Sequence, residues 1–281
     1  MRSHTLLAIT AAALALASCN NANNSNTGTA EKDTTAAAPR MPIAIADPGA
    51  SVAFPGASLA IASVKAGKVG KDSAKVSFAF DVKNYELTKQ TTDNGSKPCN
   101  NSDKGQHIHF ILDNQPYKAL YEPKNEVTLA NNTEHYLMAF LSRSYHESVK
   151  SKGAAVVYHF RIDEQGNLKK LDDPKTPMVF YSRPKGDYIG KDTANLLLDF
   201  YVWNCELGDS SYSVKAHISN PANGKDTSIV INSWKPLFIQ HLGTGKSKVE
   251  LTLQDKTGKQ AEGPNTAASR EFNLAAGEPM K

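Results

Sequence analysis

From residue 57 onward, the apolar residues of this sequence either alternate with polar residues or form short runs. Residues 76–82 alternate cleanly, and so do residues 108–112 and 249–253. Gly, Pro, Asn and Asp separate these runs, and no long stretch follows the 3.6-residue period of a helix. Because side chains alternate between the two faces of a strand, the pattern predicts many short strands and an all-β fold of the sandwich type.

The second half of the chain repeats landmarks of the first. Residues 82–87 match residues 202–207, and residues 136–140 match residues 249–253 with a smaller offset. Because the offset between the two copies decreases from the first landmark to the second, the first copy has an insertion between them, which we place in the polar loop 88–104. We therefore predict two tandem immunoglobulin-like β-sandwich domains, residues 43–183 and 184–281. A chance likeness of strand patterns is the alternative.

The first residues have the layout of a secretory signal. Arg2 supplies a positive charge, and an apolar stretch of Ala and Leu follows it. This stretch is too short to span a bilayer as a mature helix, so residues 1–18 are predicted to be a cleaved signal peptide. The ending Leu16-Ala17-Ser18-Cys19 resembles the bacterial lipobox, which implies that Cys19 becomes the lipid-bearing N-terminus. An ordinary signal peptide with a chance cysteine is the alternative.

Residues 19–42 are rich in Asn, Thr and Ala and almost free of large apolar residues. Such a segment cannot bury enough surface to offset its chain entropy, so we expect a flexible tether between the lipid and the folded part. Asn20 follows the lipidated cysteine, where an Asp would resemble the inner-membrane retention signal of some bacteria. The sequence therefore favours an envelope protein that is lipid-anchored to the outer membrane.

The net charge and the cysteine content bear on the possible partners and on disulfide formation. A net charge of +4 over 281 residues is too mild to indicate a nucleic-acid partner. The chain has three cysteines. If Cys19 carries the lipid, Cys99 and Cys205 are left as a pair that can form a disulfide in an oxidising compartment. Two separate thiols are the alternative.

Several short motifs resemble those of a family of uncharacterised bacterial lipoproteins. The motifs are Tyr181-Ser182-Arg183-Pro184-Lys185-Gly186, Leu198-Asp199-Phe200-Tyr201, and Gly263-Pro264-Asn265 before Arg270-Glu271-Phe272. Members of that family carry a lipobox and two β-rich halves, so the resemblance implies the same fold and location. No motif among them is catalytic. Some members are labelled phosphopeptide-binding, but the sequence shows no arginine cluster of the kind that such binding uses.

Histidines form the most informative group of candidate functional residues. His107 and His109 are two apart at the start of a predicted strand, so both imidazoles lie on one face while the residues around them face the core. His135 begins a later strand and is predicted to point outward too. In immunoglobulin-like order these strands are C and F, which are neighbours. We therefore predict that the three imidazoles converge on an outer surface and bind Zn or Cu, with His146 and Glu147 as further candidate ligands.

A simpler interpretation is that the histidines are ordinary polar residues on the solvent-facing side of a half-exposed strand. A slip of one residue in the pairing register would turn His135 inward. The second copy has Lys248 at the position of His135, so the group is not part of the shared scaffold.

Enzymatic motifs are lacking in the sequence. The loop 142–148 contains Ser, His and Glu, but adjacency in sequence is not triad geometry. No nucleophile elbow, phosphate loop, dinucleotide fingerprint or calcium-loop spacing occurs. We therefore predict a non-enzymatic binding role at the envelope, toward an unknown protein or small ligand. The alternatives are a metal-binding protein that uses the histidine group and a structural or assembly partner of another envelope protein.

Overall fold

Strands and tight turns make up the described part of the chain, as the alternating pattern predicts. The structure is a computed structural model, and it describes residues 41–277. The strands are β1 (Ala44–Ala46), β2 (Ser58–Val69), β3 (Ser73–Lys83), β4 (His107–Leu112), β5 (Lys118–Leu120), β6 (Lys124–Ala130), β7 (Thr133–Ser142), β8 (Ala155–Ile162), β9 (Leu168–Lys170), β10 (Met178–Arg183), β11 (Gly186–Ile189), β12 (Leu196–Trp203), β13 (Ser213–Asn220), β14 (Lys225–Ile231), β15 (Leu237–Gln240), β16 (Gly245–Gln254) and β17 (Ala267–Ala275). Three short 3-10 turns complete them, at Asn94–Ser96, Gly190–Thr193 and Pro221–Asn223.

The first sandwich pairs two antiparallel sheets, ordered β2-β3-β6 and β5-β4-β7-β8-β9. Every second residue along its strands points into the core. For example, Val76 and Phe78 of β3 lie opposite Ile108 and Phe110 of β4. β3, β4 and β7 occupy the places of strands B, C and F of an immunoglobulin-like domain. The predicted neighbourhood of the two histidine strands is confirmed, since β4 pairs with β7 along its whole length.

The second sandwich repeats this order. Its sheets are β1-β15-β12-β10 and β11-β17-β16-β13-β14. β12, β13 and β16 take the places of strands B, C and F, and β11 pairs in parallel with β17. The prediction of two immunoglobulin-like β-sandwiches is confirmed. The connection from β3 to β4 is also much longer than the equivalent one from β12 to β13, as the predicted insertion requires.

A third apolar cluster joins the two sandwiches. One face of β4, β7 and β8 packs against the outward face of β10 and β12. The buried members are Ile111, Tyr117, Met138, Phe140, Val157, Met178, Phe180 and Tyr201. Because both faces of β7 and β10 are covered, their sequences contain near-continuous apolar runs instead of an alternating pattern.

The exact division between the domains, after residue 183, remains a prediction. Strands β1 and β10 precede that position in the chain, yet β1 pairs with β15 and β10 pairs with β12. All of the described residues belong to one unit of dense internal contacts that begins at Met41. Within the described residues there is no helix with the length and apolar character needed to cross a membrane.

Candidate metal centre

His107 and His109 project from β4 toward the second sandwich. Ile108 and Phe110 between and beyond them point into the first core, so the two-residue spacing places both imidazoles together on the other face, as predicted. That face is not an outer surface, because β10 covers it. Both histidines are 0% exposed. The predicted surface location is wrong, and the reason is the packing of one sandwich on the other.

His146 completes the cluster from the loop between β7 and β8. Its backbone N–H donates to the carbonyl oxygen of Arg143 at 2.9 Å, which closes a tight turn. Its φ of 68° lies in the left-handed region, which is uncommon for residues other than glycine. Such a conformation costs free energy and recurs where a side chain has to be aimed at a functional site. Here it directs the imidazole toward β4.

The three imidazoles bring ring nitrogens close together. Nε2 of His107 lies 2.9 Å from Nε2 of His109 and 3.2 Å from Nδ1 of His146. One ring nitrogen from each of the three histidines lies within 4.8 Å of those of the other two. Tetrahedral ligands at about 2.0–2.1 Å from a zinc ion are about 3.3 Å apart. The cluster is therefore close to the geometry of three ligands on one ion.

The outer nitrogens of the two strand histidines have their own partners. Nδ1 of His107 donates to the carbonyl oxygen of Gly105 at 2.8 Å, and Nδ1 of His109 lies 3.0 Å from the hydroxyl of Ser182 on β10. A carbonyl can only accept, so neutral His107 carries its proton on Nδ1 and offers a lone pair from Nε2. A hydrogen bond from the outer ring nitrogen is the usual way in which a protein orients a metal-binding histidine.

Electrostatics keep these imidazoles neutral. Burial lowers the pKa of His107 to about 4, and it lowers the pKa of His109 and His146 well below the ordinary value. The positive charges of Arg183 and Lys185 act in the same direction on all three. Neutral imidazole is the form that binds metals, so the cluster has lone pairs available at neutral pH.

Tyr117 packs against the cluster from the connection between β4 and β5. Its ring stacks on the imidazole of His109 with centroids 3.6 Å apart. Its hydroxyl lies 3.2 Å from Nδ1 of His146. Tyr117 and Ser182 were not candidates from the sequence, because only the packing of distant segments brings them to the histidines.

His135 does not join the cluster, so the prediction that it is the third ligand is wrong. It shares the face of β7 that carries Leu137, Ala139 and Leu141 into the first core, the opposite face to the one predicted. Along β7 it also precedes Phe140, the partner of His109, by five residues, or about 17 Å. Its Nδ1 instead lies 2.6 Å from a carboxylate oxygen of Asp113. His146, the further candidate, takes the third place.

Glu147, the other further candidate, turns away from the histidines. Its carboxylate lies 3.1 Å from the guanidinium of Arg143 and accepts a hydrogen bond from Ser51 at 2.8 Å. Burial raises its pKa. Ser148, one residue further, donates to Asp199 of β12 at 2.9 Å. The loop 142–148 is thus held by buried polar contacts, and its Ser, His and Glu face different partners instead of forming a triad.

Cys99 and Cys205 are free thiols, and the predicted bridge is not formed. Cys99 lies beside Lys191 and Asp192, which come before β12, whereas Cys205 follows the end of β12. β12, whose eight residues span about 26 Å, lies between the positions of Cys99 and Cys205. A disulfide needs Cα atoms within about 7 Å, so these cysteines are too far apart. Burial raises the pKa of the two thiols to about 12 and about 11, respectively. Cys19, the predicted lipid attachment site, lies outside the described residues.

Comparisons with other proteins give likenesses of structure only. No protein-family model matches the chain, and no curated protein matches it. Among solved structures, the fibronectin(III)-like modules of Clostridium thermocellum CbhA align at 12% identity and a TM-score of 0.25, over 78% of this chain and 95% of theirs. Domains FN1–FN3 of chicken CNTN1 align at 7% identity and a TM-score of 0.24, over 79% of this chain and 68% of theirs. Scores of this size do not bear on function.

Proposed function

We propose that this protein is a non-enzymatic, lipid-anchored envelope protein that binds one Zn or Cu ion at His107, His109 and His146. The observation that supports it is the convergence of three buried, neutral imidazoles whose ring nitrogens lie within 4.8 Å of one another. No other group of three or more His, Cys, Asp or Glu residues in the described part of the chain meets this geometry.

A hydrogen-bonded histidine network is the simpler explanation of the cluster. Such a network can be satisfied by protons, since Nε2 of His109 can donate to Nε2 of His107. However, burying three imidazoles side by side has a cost that apolar side chains of the same size would avoid. The left-handed backbone of His146 adds to that cost. A bound metal accounts for the burial of the three imidazoles, because it takes up all three lone pairs at once.

The ligand set favours Zn or Cu over other ions. Imidazole suits both metals, and no carboxylate or thiolate of the described residues reaches the cluster. Three histidines leave at least one coordination position for another ligand. Copper binds nitrogen ligands more tightly than zinc does, so the identity of the ion in the cell depends on its supply.

A metal titration tests the proposal. Equilibrium dialysis of the full-length chain against Zn²⁺ or Cu²⁺, followed by elemental analysis, is expected to give one ion per chain. His109→Ala removes a central ligand and is expected to weaken binding at least a hundredfold, more than the loss of an outer-shell partner does. His135→Ala is the matched control, because His135 is also buried and on the same sheet but lies outside the cluster.

Two results would overturn the proposal. One is failure of the wild-type chain to hold either ion at micromolar concentration. The other is an equal loss of affinity in the His109→Ala and His135→Ala variants, because general destabilisation, not ligand removal, would then explain both.

Membrane anchoring is tested separately. Cys19→Ala is expected to leave the chain unprocessed or to release it from the membrane fraction, because the lipid is attached through the thiol of Cys19. Cys99→Ala is the control, since Cys99 lies in the folded part. Unchanged processing and membrane fractionation of the Cys19→Ala variant would refute the lipoprotein assignment.

A further inference from the structure

Arg183 is a buried cation beside the histidine cluster. Its side chain is 7% exposed, and its guanidinium lies 5.4 Å from the ring centre of Tyr117. One terminal nitrogen donates to the hydroxyl of Tyr188 at 2.9 Å. Its Nε is buried and has no hydrogen-bond partner. No carboxylate of the described residues forms an ion pair with it, so this charge is not compensated by an acid.

Lys185 places a second cation at the same site. Its ammonium group donates to the carbonyl oxygen of Tyr117 at 2.9 Å and lies 4.1 Å from the centre of the Tyr117 ring. Burial, together with the charges of Arg183 and Arg270, lowers its pKa to about 8. No arginine cluster is visible in the sequence, because Arg270 reaches this place only through the pairing of β17.

Among the described residues, two other buried or half-buried cations have acidic partners, and the buried Lys97 donates instead to the carbonyl oxygens of Pro48, Gly49 and Ala50. The guanidinium of Arg143 lies 3.1 Å from Glu147, and the ammonium of Lys150 lies 2.5 Å from Asp199. A buried charge without a counter-charge is strongly unfavourable. Arg183 differs from these three cations, because its buried Nε has neither an acid nor a carbonyl as a partner.

Tyr117 connects the two cations to the histidine cluster. Both contact Tyr117, whose hydroxyl lies 3.2 Å from the ligand nitrogen of His146. The three histidines are neutral, so a bound divalent ion adds two more positive charges to those of Arg183 and Lys185. Such a site requires negative charge from a further ligand.

We propose that a small inorganic anion occupies the open coordination position of the metal and is held there by Arg183 and Lys185. This inference rests on the proposed metal site. A guanidinium with a free N–H provides a directed, charge-assisted hydrogen bond to an anion. The ligand has to be small, because His107 and His109 are 0% exposed and His146 and Arg183 are each only 7% exposed.

The experiment uses Co²⁺ as a spectroscopic substitute for Zn²⁺ and azide as the anion probe. The full-length chain is loaded with Co²⁺ in buffer free of other coordinating anions, and azide is titrated while the visible absorption of the metal is recorded. Saturable spectral change is expected for the wild type. Arg183→Met is expected to weaken azide binding about tenfold to a hundredfold, the range for loss of a charged hydrogen bond.

The same variant is expected to bind Co²⁺ more tightly, because a charge that repels the metal has been removed. This opposite effect on metal and anion separates anion binding from general damage to the site. Lys185→Met is the second variant, less buried and therefore safer for folding, with a several-fold loss of azide affinity expected. Arg161→Met changes an arginine on the first sandwich far from the cluster and is the control.

The possible results are distinguishable. A spectrum that does not respond to azide, or equal azide affinity in wild type and both variants, overturns the anion site and leaves the metal site intact. Absence of any Co²⁺ spectrum in the wild type overturns the metal site and the anion site together.

Discussion

The loop that presents His146 depends on one carboxylate of the opposite sandwich, and this contact supports a quantitative prediction. Asp199 on β12 is 1% exposed. It accepts hydrogen bonds from the backbone N–H of Ser148 at 3.2 Å, from the hydroxyl of Ser148 at 2.9 Å and from the ammonium of Lys150 at 2.5 Å. We expect Asp199→Asn to destabilise the protein and to loosen the loop.

The magnitude follows from what the substitution removes. Asn has the same shape as Asp, so no cavity forms, but the charge partner of Lys150 is lost. Loss of hydrogen bonds to a charged group costs about 1.5–3 kcal/mol. Removing one partner of a fully buried pair costs about 3–5 kcal/mol, but the Lys150 side chain is 17% exposed and can turn partly to water. The lower range therefore applies, equivalent to a decrease in Tm of about 4–10 °C.

Chemical denaturation followed by tryptophan fluorescence measures this loss. Metal affinity in the same variant is expected to fall about tenfold or more, because Ser148 is two residues from His146 and fixes its position. Glu126→Gln is the control, since Glu126 forms an exposed pair with Lys75 and is expected to have no measurable effect. An Asp199→Asn variant as stable as the wild type would refute the reasoning that this contact joins the loop to the second sandwich.

Three further predictions follow from other parts of the structure. Phe140→Ala, in the cluster between the sandwiches, is expected to lower the free energy of unfolding by about 3–5 kcal/mol in denaturant titrations; a loss below about 1 kcal/mol would contradict that packing. Cys99 and Cys205 are expected to react with a thiol reagent slowly in the native protein and fast after unfolding, because both are free and burial raises their pKa; silence under both conditions would indicate a disulfide. Glu250 raises the pKa of His217, so this interaction contributes stability below pH about 6.5 that is lost as the pH rises through the raised pKa. The Tm difference between wild type and His217→Gln should shrink from pH 5.5 to 8.5, and a constant difference would disprove the linkage.

The strand positions could be predicted from the sequence wherever one face of a sheet meets solvent. β3 and β16 alternate because one side faces the core and the other faces water, and their period of two is visible in the residues alone. The insertion between β3 and β4 was also predictable, because it changes the spacing of repeated landmarks. The common face of His107 and His109 follows from their separation by two residues, a geometric property of any strand.

Which residues of β7 face the first core could not be predicted in the same way. Residues 136–141 are all apolar, because Leu137, Ala139 and Leu141 fill the first core while Met138 and Phe140 pack on the second sandwich. An uninterrupted apolar run carries no alternation that would tell one face from the other. The sequence therefore does not determine which way His135 points, and the predicted outward direction is wrong.

Local sequence determined the all-β class, the repeat and the pairing of β4 with β7, because these depend on side-chain period and strand order. Tertiary structure alone decided the composition of the candidate site. It buried His107 and His109 by laying β10 on their face, it brought His146 to them through a turn whose backbone is left-handed, and it added Ser182, Arg183 and Lys185 from a segment distant in the chain. These contacts depend on how two sandwiches pack, and packing between domains leaves no periodic trace in the residues that take part in it.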